Sequence, residues 1–324
     1  MDKYEFNIKQ EPKFIMLVGL PGSGKSTYAK ALAEKYKAVI HSSDSIREEI
    51  TGSEMSQEEN QKVFQILHKR LKNDLKSAKN VIYDATNINY KRRMHFLNNE
   101  LRSIDCEKIC IIVATPYKKC LENNKNRDRS VPEHVIKKMY ESFYVPYVYE
   151  GWDKVDLYYP DTKYRNFYKT EDFIHTNLNF DQKNEHHSKT LAEHCMCVQC
   201  GVNKYFLKLF DVGLLHDCGK PFTKSFKDSK GKIGKQAHYY QHHLVGAYDS
   251  LFYNLPDFYR FLYRYGNFDV NLLLERAAII QWHMQPYSWE KTDDKKQHAK
   301  YRKLWGLSLY DNIMDLHMAD LASH

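Results

Sequence analysis

The stretch FIMLVGLPGSGKSTYAKAL, residues 14–32, joins an apolar run, a glycine-rich loop and a helix-forming segment without interruption. The loop matches G-x-x-x-x-G-K-[ST], in which glycines let backbone N–H groups surround phosphate oxygens at the start of a helix. This order constrains the fold strongly, because it requires a βα unit around a phosphate site. Lys25 would reach the β- and γ-phosphates of ATP, and Ser26 would help to hold Mg²⁺. The predicted nucleotide ligands are Gly19, Gly22, Ser23, Gly24, Lys25, Ser26 and Thr27.

Three more apolar runs follow, in AVIHSSD, NVIYDAT and KICIIVAT. Segments of helical length and spacing lie between them, such as the apolar series Val63, Leu67, Leu71 and Leu75. Strands separated in this way predict βαβ units and a parallel sheet. We therefore expect an α/β domain of a parallel sheet flanked by helices over residues 1–172. It would end in a polar, tyrosine-rich connector after Trp152.

Two residues at the end of the second run are candidates for chemistry. Asp44 could accept the proton of an attacking hydroxyl, the role of the base in phosphoryl transfer. Arg47 lies about one helical turn further on and could contact the phosphate under attack. A helix cap and a surface ion pair explain the same two residues just as well.

Later polar segments add to this pattern. Asp84 ends the third run, and Asn87 and a basic cluster at residues 91–93 follow it. Arg127 and Arg129 precede a helix whose start is predicted to be capped by Ser130, Pro132 and Glu133. Arginines placed before a helix in this way can form a lid over ATP and neutralise charge on the transferring phosphoryl group.

Taken together, these motifs resemble the kinase domain of phage-type polynucleotide 5′-kinases, over about residues 13–150. The resemblance implies ATP- and Mg²⁺-dependent phosphorylation of 5′-hydroxyl ends. It implies that Asp44 is the general base and that Arg47 contacts the scissile phosphate. The implied substrate-positioning residues are Asp84 and Asn87, and the implied lid residues are Arg127 and Arg129. Kinases of small metabolites share much of this pattern, so the polynucleotide acceptor stays open.

Histidines crowd into the second half, where apolar spacing becomes helical. An ordered set of candidate metal ligands consists of His194, the pair His216 and Asp217, and Asp320 in a late helical stretch. Imidazole and carboxylate ligands with open positions suit Mn, Fe, Co, Ni or Mg better than a closed zinc site. Such an ion polarises a phosphoryl oxygen and lowers the pKa of a water.

This ordered set resembles the HD phosphohydrolase superfamily over roughly residues 177–324, which implies an all-α domain, here assigned to residues 173–324. By the same resemblance, His242 and His283 match positions that hold a second metal in some members. Lys220, and with weaker support His187, would contact the substrate phosphate.

Other histidines and the cysteines are given ordinary roles. We expect His68, His95 and His298 to be polar groups satisfied by the fold rather than ligands. Cys195, Cys197 and Cys200 lie close together, but a second cluster is lacking, so buried reduced thiols are favoured over zinc.

The composition is that expected of a soluble protein. The 324 residues carry a net charge of +8, which permits an acidic partner such as RNA or DNA. The sequence offers no apolar run long enough for a membrane span and no signal-peptide pattern at its start. Seven cysteines without a disulfide framework favour the cytoplasm.

The combination resembles bacterial end-healing enzymes that fuse an HD phosphohydrolase to a polynucleotide kinase. In that family the HD module comes first, whereas here it comes last. The resemblance implies healing of RNA or DNA breaks: phosphorylation of 5′-hydroxyls and hydrolysis of 2′,3′-cyclic phosphate or 2′/3′-phosphate ends. Because a Lys-x-Asp-Gly motif is missing, a separate ligase would seal the break. Two alternatives remain. One is a nucleotide-metabolism enzyme that combines a small-metabolite kinase with an HD nucleotide phosphohydrolase, and the other is a regulatory module in which the second domain is a helical scaffold.

Overall fold

The computed structural model describes residues 11–52, 59–127, 129–185, 188–202, 207–255, 268–290 and 295–324. Five parallel strands form one sheet in the order β2-β3-β1-β4-β5. The strands are β1 (Lys13–Val18), β2 (Val39–Ser42), β3 (Val81–Asp84), β4 (Glu107–Val113) and β5 (Lys154–Tyr158). The predicted α/β fold with a parallel sheet is confirmed. The stretch after Trp152 is more than a connector, because it supplies the fifth strand.

Helices cover both faces of this sheet. They are α1 (Lys25–Tyr36), α2 (Ser43–Thr51), α3 (Asn60–Lys76), α4 (Tyr90–His95), α5 (Tyr117–Lys125) and α6 (Glu133–Glu141). The predicted apolar series lies on α3, where Val63, Leu67, Leu71 and Leu75 are all buried. α1 packs on one face through Ala29 and Leu32, and the second half of the chain packs on the other. Residues 96–100 continue α4 as a π-helical turn.

Strand register decides which loops meet. Leu17 of β1 lies beside Asp84 of β3, and Ser42 of β2 lies beside Asp84 on the other side. Because the strands are parallel, their carboxyl ends meet at one edge of the sheet. The glycine-rich loop, Asp44 and Asp84 are therefore brought to the same edge.

The second half is mainly helical. Its helices are α7 (Thr170–Asn177), α8 (Leu191–Gly201), α9 (Leu207–Leu215), α10 (Lys220–Thr223), α11 (His242–Ser250), α12 (Phe268–Trp282), α13 (Gln285–Glu290), α14 (Lys295–Trp305) and α15 (Leu307–Leu321). An antiparallel hairpin of β6 (Ser225–Lys227) and β7 (Ile233–His238) departs from the predicted all-α composition. Among the described helices, none has both the length and the apolar character that crossing a membrane requires.

The two halves share one hydrophobic core, which runs from Phe14 in β1 to Ala319 in α15. Hydrogen bonds also join them. The Tyr248 hydroxyl donates to the Thr115 carbonyl at 2.7 Å, and the Val145 amide donates to Gln281 Oε1 at 2.6 Å. The domain boundary at residues 172 and 173 stays a prediction, and it falls inside α7.

Candidate phosphate site and candidate metal centre

The glycine-rich loop has the backbone conformation that its glycines predict. Gly22 and Gly24 have φ angles of 79° and 92°, a region that favours glycine. A Cβ atom on Gly22 would lie 2.3 Å from the Cys120 carbonyl oxygen, so only glycine fits. α1 begins at Lys25, directly after this loop. The N–H groups at the start of the helix therefore lie at the loop, as phosphate binding requires.

Lys25 is buried within the loop. Its Nζ donates to the carbonyl oxygens of Gly19 at 2.9 Å and Leu20 at 2.8 Å. Burial lowers the pKa of Lys25, and the nearby Asp84 carboxylate opposes that shift. An ammonium held by neutral carbonyls in a buried site is suited to turn toward an anionic phosphate.

Asp84 is buried at the end of β3 beside the loop. Burial raises the pKa of this carboxyl, and Lys25 together with a hydrogen bond from Ser26 opposes the rise. Contact with Ser26 is the arrangement in which a carboxylate and a loop hydroxyl hold Mg²⁺. The substrate-positioning role of Asp84 stays a prediction, and its contact with Ser26 also fits a residue that holds Mg²⁺.

Asp44 lies between two arginines at the mouth of the site. Its Oδ1 is 2.7 Å from Arg47 Nη1, and its Oδ2 is 3.0 Å from Nη1 of Arg129. The Asp44 side chain is 44% exposed, so an acceptor could reach it. Arg127 is close enough to influence the pKa of both Lys25 and Asp84. The structure thus brings the predicted base and both lid arginines to one place.

Two predictions around this site need correction. Arg93, assigned to the basic cluster, is buried and forms an ion pair with Glu150 at 2.6 Å, whereas Lys91 and Arg92 are exposed. The Asn87 amide donates to the Leu17 carbonyl at 2.9 Å and so ties the ends of β3 and β1 together, and its substrate-binding role stays a prediction.

The second correction concerns the start of the helix after the lid. Helix α6 does begin at Glu133, but its N-cap is Pro132, and no side chain caps it. Ser130 therefore does not cap this helix.

The predicted metal ligands form two groups that share Asp217. Asp217 Oδ2 lies 3.5 Å from His194 Nε2 and 3.2 Å from His216 Nε2. Its other oxygen, Oδ1, lies 3.1 Å from His242 Nε2 and 3.8 Å from His283 Nε2. Atoms about 2.1 Å from one ion lie roughly 3.0–3.5 Å apart. The three shorter spacings fit that range, and the 3.8 Å distance to His283 is slightly longer.

Backbone hydrogen bonds fix the orientation of three of these imidazoles. The Nδ1 atoms of His216, His242 and His283 lie 2.7–2.8 Å from carbonyl oxygens three residues earlier in the chain. A neutral imidazole that donates from Nδ1 presents the lone pair of Nε2, which is how histidine binds a metal. The His242 and His283 Nε2 atoms face each other at 3.3 Å. Two lone pairs so placed require a cation or a proton between them.

Asp320 closes the first group. Its Oδ1 lies 3.1 Å from His194 Nε2 and 3.6 Å from His216 Nε2. This buried oxygen accepts no hydrogen bond within the described part of the chain. A buried carboxylate oxygen aimed at two imidazole nitrogens fits a metal ligand.

Lys220 and Tyr287 support the carboxylates. Lys220 Nζ lies 2.6 Å from Asp217 Oδ2 and donates to Gln182 Oε1 at 2.8 Å. Burial would raise the pKa of Asp217, but the adjacent Lys220 ammonium opposes that rise. The Tyr287 hydroxyl donates to Asp320 Oδ2 at 2.8 Å. Neither Gln182 nor Tyr287 can be recognised from the sequence, because no local pattern connects them to the ligands.

The remaining expectations have mixed outcomes. His68 pairs with the Tyr83 hydroxyl, His95 with Asn99 and His298 with the Tyr310 hydroxyl, so all three have polar partners as predicted. The three thiols on α8 are free, but only Cys195 is buried, whereas Cys197 and Cys200 are exposed. His187 lies outside the described residues.

Comparison with known proteins supports the domain predicted for the first half of the chain. Residues 14–146 match the family model described as an AAA domain. The L-seryl-tRNA(Sec) kinase of Methanococcus maripaludis is 32% identical over 148 residues, which is 44% of this chain and 57% of that protein. The chain thus spans a little over half the length of this curated relative.

Two solved structures also show similarity to part of this chain. A provisionally assigned kinase from Chloroflexus aurantiacus j-10-fl is 19% identical, with a TM-score of 0.40 over 46% of this chain and 86% of that one. A chain of the Pnkp1/Rnl/Hen1 RNA repair complex is 23% identical, with a TM-score of 0.37 over 41% and 44%. Likenesses at TM-scores below 0.5 say nothing about function. The comparisons indicate that residues 14–146 form a P-loop domain, which is named for its glycine-rich phosphate-binding loop. A kinase is among the relatives of this domain.

Proposed function

We propose that this protein heals the ends of broken RNA or DNA. Its first half would transfer the γ-phosphate of ATP to a 5′-hydroxyl end. Its second half would hydrolyse 2′,3′-cyclic phosphate or 2′/3′-phosphate ends with the help of bound divalent metal. The observation that carries this proposal is the presence, in one chain, of a phosphate loop with a reachable carboxylate and of two histidine groups sharing Asp217.

In the kinase half, exposure separates the roles of two carboxylates. Asp84 is buried against Lys25 and Ser26 and would hold Mg²⁺. Asp44 is open to solvent and would accept the proton of the acceptor hydroxyl, while Arg47 stabilises charge on the phosphoryl group. Arg129 reaches Asp44 from the other side and would close over the nucleotide together with Arg127.

In the second half, His194, His216, Asp217 and Asp320 would hold one ion, and His242 and His283 would share Asp217 with a second. Divalent ions of the Mn, Fe, Co or Ni type, when bound, supply Lewis-acid polarisation of a phosphoryl oxygen and a water of lowered pKa. Lys220 is close enough to the cluster to contact a substrate phosphate as well as Asp217. His187 stays a proposed contact from sequence alone.

The similarity to the Methanococcus maripaludis kinase helps to identify the acceptor of the phosphate. The name of the Methanococcus maripaludis protein specifies a seryl group carried on a tRNA. That name supports an acceptor hydroxyl attached to RNA over a free metabolite. It also favours a second candidate, a kinase for a hydroxyl borne by a charged tRNA.

One assay tests both activities. The protein is incubated with ATP, Mg²⁺ and Mn²⁺ and an RNA that carries a 5′-hydroxyl and a 2′,3′-cyclic phosphate, and both termini are mapped. We expect a 5′-phosphate and a free 3′-end, which a separate RNA ligase can then join. Parallel reactions contain a free nucleoside or a seryl-tRNA. Faster phosphorylation of either than of the RNA end would overturn the proposed acceptor.

A further inference from the structure

A shallow cavity lies between α14 and the start of α15, away from both proposed sites. Its volume is about 490 Å³, and its lining residues are His298, Ala299, Arg302, Lys303, Leu307 and Tyr310. Two cations, an imidazole and a phenol converge there, and none of the six has a part in the proposed chemistry. The lining therefore offers a polar and aromatic site without an assigned ligand.

The charge of α14 is not balanced within the helix. Its eleven residues, KKQHAKYRKLW, include five cations and no carboxylate. Arg302 and Lys303 lie in the last turn, where cations complement the helix dipole. A helix with this excess of positive charge attracts anionic partners.

Aromatic groups accompany these cations. The Tyr310 hydroxyl lies 2.8 Å from His298 Nδ1, and the Arg302 guanidinium lies 5.9 Å from the Tyr310 ring centre. Cations that can follow a phosphate backbone, beside an aromatic ring on which a base can stack, are typical of single-strand binding.

The position of the cavity relates it to both proposed sites. Tyr310 and Asp320 lie ten residues apart on the same helix, which corresponds to about 15 Å. At roughly 3.4 Å for each nucleotide of a strand, four or five nucleotides would span this distance. On its other side, Tyr301 packs on Trp282, which contacts Tyr90 at the start of α4. The exposed Lys91 and Arg92 follow Tyr90 in the kinase half.

We infer that this cavity, with the cations of α14, binds a single-stranded polynucleotide several nucleotides away from the 3′-end that enters the metal cluster. The inference rests on the proposed function, and it selects a polynucleotide over a mononucleotide as the substrate of the second half. A mononucleotide in the metal cluster would be too short to reach Arg302 and Lys303. Affinity should therefore rise with strand length until the cavity is filled.

The test uses a labelled 12-nucleotide RNA with a 5′-phosphate and a 3′-hydroxyl, which neither activity can change. Its binding to the full chain is measured by fluorescence anisotropy at several salt concentrations. The double variant Arg302→Glu/Lys303→Glu should bind at least about tenfold more weakly. The salt dependence should also become shallower by about 1.4 in the log–log slope, because each single-strand phosphate contact contributes about 0.7. The matched control is Lys30→Glu/Lys35→Glu on α1, which makes the same charge change on the opposite face of the sheet.

Phosphate release from a 3′-mononucleotide, measured on the same variants, separates this inference from the proposed function. Unchanged release together with weakened RNA binding in the cavity variant supports the inference. Equal weakening by the α1 control, or RNA binding that Arg302→Glu/Lys303→Glu leaves unchanged, overturns it. Wild-type protein that binds the 12-nucleotide RNA no better than a mononucleotide also overturns it. Absence of phosphate release from every substrate refutes the proposed function instead, and the binding result still stands.

Discussion

Asp217 is the single residue on which both histidine groups depend, because each of its oxygens faces a different group. We predict that His283→Ala protein binds about half as much metal per chain as the wild type, since only the group with His242 is broken. Asp217→Asn should lose metal from both groups. Metal content after purification in Mn²⁺ measures this. Equal metal content in the two variants would contradict the shared role of Asp217.

Asp44 allows a similar separation of binding from chemistry. Asp44→Asn keeps a side chain of the same shape next to Arg47 and Arg129 but removes the base. We expect the rate of phosphoryl transfer to fall by about 10²–10⁴-fold while ATP affinity changes little. Lys25→Ala is the contrasting variant and should weaken ATP binding itself. Transfer at the wild-type rate by Asp44→Asn protein would show that another group is the base.

At the scale of elements, the buried pair of Arg93 and Glu150 attaches α4 to the segment before β5. Removing one partner leaves an uncompensated buried charge, so Arg93→Ala should lower the free energy of unfolding by about 3–5 kcal/mol. The neighbouring Arg92 is exposed, and Arg92→Ala should change the free energy of unfolding by no more than about 0.5 kcal/mol. Urea unfolding of the two variants makes the comparison. Similar decreases in the free energy of unfolding of both variants would mean that the ion pair of Arg93 with Glu150 does not stabilise the fold.

At the scale of the whole molecule, Asp249 of α11 lies at the contact between the halves and is hydrogen-bonded to Tyr140 of α6. Burial raises the pKa of Asp249 to about 7, although Tyr140 and Lys118 oppose the shift. The folded protein thus holds this proton more tightly than the unfolded chain. The stability that the protonated Asp249 contributes is fully present below about pH 4, and it is lost as the pH rises toward 7.

Asp249→Asn should remove this fall in stability with rising pH, whose slope is at most about 1.4 kcal/mol per pH unit. Urea midpoints between pH 5 and pH 8 measure it for wild type and variant. The variant should become the more stable protein toward pH 8. Parallel pH profiles for the two proteins would show that Asp249 does not titrate in this range.

Much of the molecule was determined by local sequence. The glycine-rich loop, the four apolar runs and the spacing on α3 each express a backbone or burial requirement that adjacent residues satisfy by themselves. The order of His194, His216, Asp217 and Asp320 predicted one cluster, and the structure brings these four side chains together. Whether that cluster and the lid perform the proposed chemistry stays a prediction.

Only the tertiary structure decided which charges are buried and what they contact. The sequence shows Lys91, Arg92 and Arg93 as one basic cluster, but the fold buries Arg93 against Glu150, 57 residues away. Tyr287 likewise reaches Asp320 across 33 residues. Such pairs are set by how helices and strands pack, and packing depends on the summed apolar area of the whole chain rather than on any local pattern. The stretch after Trp152 is also polar in sequence. It nevertheless forms a strand, because the edge of β4 offers it a hydrogen-bonding partner.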